Sequence, residues 1–151
     1  MIGSISNGTM RAEDLIPTFA DTLRALAPTG AEGAHHRALA DECDALDFEN
    51  GDQDEIDFIL NEDLFDALNE YADPFCYFGS HPGDGADYGF WVDIDAVEEA
   101  IRDGELLKVN DYGDIPLGHT GLVVFVSDHG NMTLYQSTPQ APILTEIWGV
   151  V

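Results

Sequence analysis

The chain has 151 residues, of which 30 are acidic and 5 are Lys or Arg, and its formal charge at neutral pH is −25. Hydrophobic residues make up 44 % of the sequence, enough for a buried core, so the chain is not an acidic disordered tail. The charge argues against direct binding to nucleic acid or to an anionic membrane, because both are polyanions. The partners that remain are a basic protein, a cation or a salt-rich solvent.

The beginning of the chain indicates neither secretion nor membrane insertion. No run of 18 apolar residues occurs, and the first residues lack the basic and apolar regions of a signal peptide. We therefore expect a cytoplasmic protein in which residues 1–9 form a flexible lead. Cys43 and Cys76 are too far apart in sequence to make a redox or metal pair, and we interpret both as reduced thiols.

Residues 10–73 are predicted to be helical. In RAEDLIPTFADTLRALAP (11–28), leucine and phenylalanine recur every three or four residues, which is typical of a buried helix face. A second helix with a weaker apolar face is predicted within AEGAHHRALADECDAL (31–46). The third is predicted from about Asp52 to Ala72, where Phe58 and Phe65 widen an apolar stripe. It ends before Pro74, because a residue that precedes proline disfavours the helical conformation.

Residues 74–151 are predicted to be rich in β-sheet, with one helix over IDAVEEAIRDG (94–104). Gly130 supplies the positive φ of a tight hairpin turn within GLVVFVSDHGNMTLYQS. The sequence predicts one α+β domain over residues 10–151, with N-terminal helices followed by a mostly antiparallel sheet of about five to six strands. The predicted strands are FCYFG (75–79), YGFWV (88–92), ELLKV (105–109), the two arms of the hairpin (121–137) and ILTEIWGVV (143–151).

The acidic residues are concentrated in one part of the chain. Residues 41–73 hold fourteen of the thirty, and no Lys or Arg occurs between Ala38 and Ile101. The acids from Asp52 to Asp57 are explained by the start of the third helix, since a helix N-terminus favours negative charge. Glu62, Asp66 and Glu70 follow at four-residue spacing and repel one another. The helix N-terminus does not explain these acids.

A row of carboxylates on a helix resembles the phosphates of a nucleic-acid strand in spacing and sign. Proteins that grip phosphates with Lys and Arg are attracted to such a row by the same electrostatics, release of counterions included. We therefore predict that this stretch binds a basic partner. The predicted partner-binding residues are Asp41, Glu42, Asp44, Asp47, Asp52, Glu55, Glu62, Asp63, Asp66 and Glu70.

No catalytic motif is present in the sequence. HExxH, GxSxG and GxGxxG are all missing, and the adjacent Ser127, Asp128 and His129 cannot adopt the geometry of a catalytic triad. His35 and His36 are neighbours on a predicted helix and are expected to face different ways, which disfavours joint metal binding. We therefore expect a protein that is not an enzyme and has no cofactor.

The glycine-rich loop GSHPGDGADYG (79–89) contains a different set of metal-ligand types. His81, Asp84 and Asp87 are candidate ligands. Their spacing matches neither an EF-hand nor a phosphate-binding loop, and no lysine lies nearby to hold phosphate. A hairpin connection built from turn residues explains the loop more simply, so no metal is expected there.

In size, charge and acidic clustering, the chain resembles the small DNA-mimic inhibitors of phages and mobile elements, which block restriction enzymes or CRISPR effectors. The resemblance rests on the charge of −25 and on the acidic stretch 41–73, and on no motif. Separately, YFGSHPGDGADYGFW (77–91) and VSDHGNMTLY (126–135) look similar to segments of uncharacterised small proteins from phages and integrated elements. The likeness of these segments implies a phage or mobile-element context and no activity, whereas the resemblance to DNA mimics implies an inhibitor that acts in the host cytoplasm.

The predicted function is an acidic nucleic-acid mimic that inhibits a basic DNA- or RNA-binding nuclease complex of a host defence system. One alternative is an immunity protein or antitoxin that neutralises a basic toxin. Another is a non-inhibitory cytosolic domain adapted to high salt, and a third is a metal-dependent hydrolase using the 79–89 loop. The sequence leaves the oligomeric state open, and its apolar ending IWGVV allows a homodimer formed through an edge strand.

Overall fold

The structure is a computed structural model that describes residues 1–139 and 143–151. The protein is α+β, as predicted, but the described residues form two sheets, one of three strands and one of four, instead of a single sheet. They divide into two compact units. The helix-rich unit comprises Ile2–Ala72 and Cys76–Trp91, and the C-terminal unit comprises Met1, Asp73–Phe75 and Val92–Val151.

The helix-rich unit contains the three helices predicted within residues 10–73, and the third of them includes a widened turn. A π-helical turn, Ile59–Asp63, joins two short α-helices into one continuous helix. Such turns hold one extra residue, so the side chains after the turn are rotated relative to those of a regular helix. The α-helices of this unit are α1 (Ala12–Leu26), α2 (Ala34–Asp44), α3 (Gln53–Phe58) and α4 (Leu64–Asn69).

Three strands complete the helix-rich unit: β1 (Gly3–Ser6), β2 (Cys76–His81) and β3 (Asp84–Val92), in the order β1-β3-β2. β1 pairs antiparallel with β3, so the expectation of a flexible lead over residues 1–9 does not hold for residues 3–6. The backbones approach closely at this pairing, because a Cβ on Gly89 would meet the backbone of Gly3 and Ser4. β2 and β3 extend further than predicted, and much of the glycine-rich loop is therefore strand.

The core of the helix-rich unit is built around the aromatic ring of Phe19, which is fully buried. The ring makes edge-to-face contacts with Phe65, Phe78 and Tyr88 at centroid distances of 6.1, 5.0 and 5.6 Å. These contacts join α1 to α4 and to both strands of the β2–β3 hairpin. Phe58, which the apolar stripe predicted to be packed, is instead 58 % exposed.

The C-terminal unit holds α5 (Ile94–Arg102) and a sheet of β4 (Leu107–Val109), β5 (Leu122–Val126), β6 (Met132–Ser137) and β7 (Leu144–Val150). The order is β4-β5-β6-β7. β4 and β5 run parallel and the other pairs antiparallel, so the sheet is mixed. The predicted β5–β6 hairpin is confirmed, with Gly130 at a φ of +82° in its turn.

The packing around Phe19 gives a stability prediction. Replacing a buried Phe by Ala removes apolar contacts and leaves a cavity, at a cost of about 3–5 kcal/mol. We expect Phe19→Ala to lower the free energy of unfolding by that amount, measured by urea denaturation followed with circular dichroism. The matched control is Phe58→Ala, where the exposed ring should cost no more than about 0.5 kcal/mol. Equal losses in the two variants would contradict this packing.

Candidate functional site

Two of the predicted partner-binding acids form ion pairs with one arginine of the protein itself. The Arg24 guanidinium on α1 lies 3.1 Å from a carboxylate oxygen of Asp41 and 2.7 Å from one of Asp44, both on α2. It also pairs with Asp21 at 3.0 Å. The hydrogen bond to Asp41 is the main reason that the pKa of Arg24 is raised. Asp41 and Asp44 therefore have an electrostatic explanation that the local sequence did not reveal.

Two further acids shape the backbone between α2 and α3. The Asp47 carboxylate accepts hydrogen bonds from the backbone N–H groups of Asn50 and Glu49, which lower its pKa. Asp52 is the N-cap of α3 and accepts from the backbone N–H of Asp54, as expected for an acid at a helix start. The sequence indicated no structural role for Asp47, and in the structure it stabilises a turn.

The remaining predicted acids lack such partners. Among residues 1–139 and 143–151, no ion pair or side-chain hydrogen bond involves Glu42, Glu55, Glu62, Asp63 or Asp66, and Glu70 has one nearby imidazole. We call Glu62, Asp63, Asp66 and Glu70 the acidic face. Asp63 is half-buried, and the other three residues are exposed. Asp63, Asp66 and Glu70 line the same hollow, and Glu62 precedes Asp63 in the π turn.

Nearby carboxylates affect the pKa of a buried cysteine thiol. Cys43 on α2 is free and only 3 % exposed. Burial raises the pKa of Cys43 to about 11, and the carboxylates of Glu42, Asp44 and Asp63 contribute to the rise. Asp63 therefore lies close enough to Cys43 for its charge to act on the thiol. A thiol with this pKa is a poor nucleophile at neutral pH.

A shallow hollow of about 320 Å³ lies between α2 and α4. Its α2 side is formed by His35, His36 and Leu39. Three residues of the acidic face, Asp63, Asp66 and Glu70, line it from the other side together with Ala67.

The two histidines do not face different ways, contrary to the expectation from their adjacency. Their rings lie with centroids 3.8 Å apart. His36 is 4 % exposed, and its Nδ1 lies 2.5 Å from the hydroxyl oxygen of Tyr71, while Nε2 lies 3.5 Å from a carboxylate oxygen of Glu70. Burial, with a smaller effect of His35, lowers the pKa of His36. The imidazole is therefore favoured in its neutral form.

His81 and Asp84 have other roles in the described structure, whereas a carboxylate oxygen of Asp87 is buried with no hydrogen-bond partner among the described residues. His81 Nδ1 accepts from the backbone N–H of Gly83 and the ring packs against Trp91, and Asp84 accepts from the N–H of Ala86. Within the described ranges, the grouping of ligand atoms close enough to hold a metal ion is His35, His36 and Glu70, and it does not include this trio. The 79–89 segment is a hairpin with its turn at Pro82-Gly83.

Contacts between the side chains of different helices could not be predicted from the sequence. Arg24 lies 17 and 20 residues before the α2 acids with which it pairs, so no local count of charge reveals the pairing. The burial of His36 did have a signal, because His36, Ala40 and Cys43 recur at helical spacing and all three are buried.

No family model, curated protein or solved structure matches this chain. Among the described residues, no helix is long and apolar enough to cross a membrane.

The environment of Cys43 predicts its reactivity. A rise of the pKa from 9.0 to about 11 lowers the thiolate fraction at pH 8 about 100-fold, and burial blocks access as well. In a Cys76→Ser variant, whose sole thiol is Cys43, we expect almost no reaction with a thiol reagent in native buffer and complete reaction in denaturant. Rapid reaction of Cys43 with the reagent in native buffer would contradict its burial beside Asp63.

Proposed function

We propose that the protein is an acidic nucleic-acid mimic that binds the basic nucleic-acid channel of a nuclease complex, as an anti-restriction or anti-CRISPR inhibitor in the host cytoplasm. The observation that carries the proposal is the acidic face, of which Glu62, Asp66 and Glu70 are exposed and Asp63 is half-buried, beside a second acidic helix. The proposal assigns the protein no catalytic step and no direct contact with nucleic acid.

The electrostatics of this face favour an external cation. Like charges at neighbouring helical positions destabilise a helix by a few tenths of a kcal/mol for each pair, roughly, so their retention needs a compensating role. Arg24 pairs with two acids on α2, and no Lys or Arg in the described part of the chain pairs with the acidic face. Lysine and arginine side chains of a partner would supply the missing charge and release counterions.

An exposed aromatic ring adjoins the carboxylates. Phe58 lies one helical turn before Glu62 and one after Asp54. Aromatic side chains that become buried in an interface often contribute most of its binding energy, and surrounding charges direct the approach of the partner. Phe58 is thus well suited to anchor a protein partner that the acidic face attracts.

A second candidate function is supported by the acids outside this face. On α5, Asp95, Glu98 and Glu99 are all exposed, so negative charge also covers part of the C-terminal unit. A coat of this kind is typical of a domain adapted to high salt. An immunity protein for one basic toxin would use the same acidic face, and it differs from the inhibitor in having a single cognate partner.

The inhibitor proposal predicts displacement of DNA. Purified restriction and CRISPR effector complexes, each loaded with fluorescent DNA, should include at least one from which this protein displaces the DNA, measured by fluorescence anisotropy. The charge reversal Glu62→Lys/Asp66→Lys should weaken that displacement about tenfold or more, because it turns attraction into repulsion at the channel. The logarithm of the binding constant should fall linearly with the logarithm of salt concentration.

The control variant is Glu98→Lys/Glu99→Lys, which changes the net charge equally on α5. If both double variants weaken displacement equally, net charge and not the acidic face is responsible. If no complex in the panel releases its DNA while one basic toxin binds tightly, the immunity function replaces the inhibitor.

A further inference from the structure

We propose that His35, His36 and Glu70 form a binding site for a divalent transition-metal ion, with Zn²⁺ as the best match. The three side chains come from two elements of the helix-rich unit, since both histidines lie on α2 and Glu70 directly follows α4. Each offers one ligand atom, and these atoms all lie within 4.8 Å of one another. The site goes beyond the proposed inhibitory function and does not depend on it.

The distances are close to those of a tetrahedral zinc site. Zinc binds imidazole nitrogen and carboxylate oxygen at about 2.0–2.2 Å, so neighbouring ligand atoms are separated by about 3.3 Å. His36 Nε2 and Glu70 Oε2 are already 3.5 Å apart. His35 and Glu70 are exposed, so their side chains are free to move the remaining distance toward an ion.

His36 is held in an orientation that suits a ligand. Its ring is buried, and Nδ1 is in hydrogen-bonding distance of the Tyr71 hydroxyl at 2.5 Å. When Nδ1 carries the proton, it donates to Tyr71 Oη and the lone pair of Nε2 points toward Glu70. Histidine ligands of metal sites are commonly fixed by such a hydrogen bond from the other ring nitrogen.

The donor set selects the class of ion. Two imidazoles with one carboxylate suit zinc and related first-row metals, whereas Ca²⁺ and Mg²⁺ prefer sites made of oxygen atoms. Three protein ligands leave a fourth position open, and the adjoining hollow has room for a water molecule there. Asp63 and Asp66 line the same hollow, and their negative charge raises the local concentration of cations.

Binding would link α2 to the end of α4. Because the ligands come together only in the folded chain, an ion that binds them stabilises the native state. The expected consequence is a rise of the melting temperature in Zn²⁺ that Mg²⁺ at the same ionic strength does not produce.

The test is a Zn²⁺ titration of tag-free, chelator-treated protein by isothermal titration calorimetry, with the melting temperature measured in parallel. We expect one saturable site. His35→Ala and Glu70→Gln change exposed side chains, so both variants should fold, and each should weaken Zn²⁺ binding tenfold or more. Tyr71→Phe should weaken it about 10- to 100-fold, the usual effect of losing a hydrogen bond to a metal ligand.

The controls separate this site from general attraction of cations to an acidic protein. Glu62→Gln and His129→Ala remove a carboxylate and an imidazole outside the trio, and both should bind Zn²⁺ like the wild type. Three results would each overturn the proposal: no saturable Zn²⁺ binding, equal weakening by Glu62→Gln and Glu70→Gln, or unchanged affinity in His35→Ala. Co²⁺ bound in place of Zn²⁺ should give the strong visible absorption of a four-coordinate ion, and weak six-coordinate spectra would contradict the predicted geometry.

Discussion

The helix-rich unit can fold only if its apolar core outweighs the mutual repulsion of its carboxylates. The acids of α2, the π turn and α4 stand on helices whose opposite faces are buried in an apolar core, with Phe19 of α1 at its centre. Burial of apolar surface contributes about 25 cal/mol for each Å², so several large side chains outweigh many weak repulsions. One arginine, Arg24, relieves the repulsion on α2, while the acidic face carries most of its charge unrelieved.

The two proposed properties meet at the hollow between α2 and α4. The acidic face attracts basic side chains, and the trio of His35, His36 and Glu70 attracts a metal ion. An ion bound there adds two positive charges next to Asp63 and Asp66 and weakens the local negative potential. Metal occupancy and partner binding would therefore oppose each other, which follows from reciprocal linkage between sites that share one electrostatic field.

Much of the fold was readable from local patterns, and the exceptions have physical causes. Helical spacing located α1 and the continuous helix through α3 and α4, and turn chemistry located the hairpin at Gly130. β1 was missed because its four residues, GSIS, carry little apolar pattern and are ordered by pairing with β3. Of the candidate site, the acidic positions were visible in the sequence, whereas the Arg24 pairs and the contacts of His36 with Tyr71 and Glu70 depend on packing between helices.

We propose that the acidic face is retained to bind a basic partner and is not an adaptation to a salt-rich solvent. The most direct measurement is urea denaturation of the wild-type protein at low and at high salt concentration. We predict a cooperative native fold at low salt, because the apolar core offsets the repulsion, with stability that rises modestly as salt screens the acids. Loss of the folded structure at low salt, with folding restored only at high concentration, would contradict the claim and identify a domain adapted to salt.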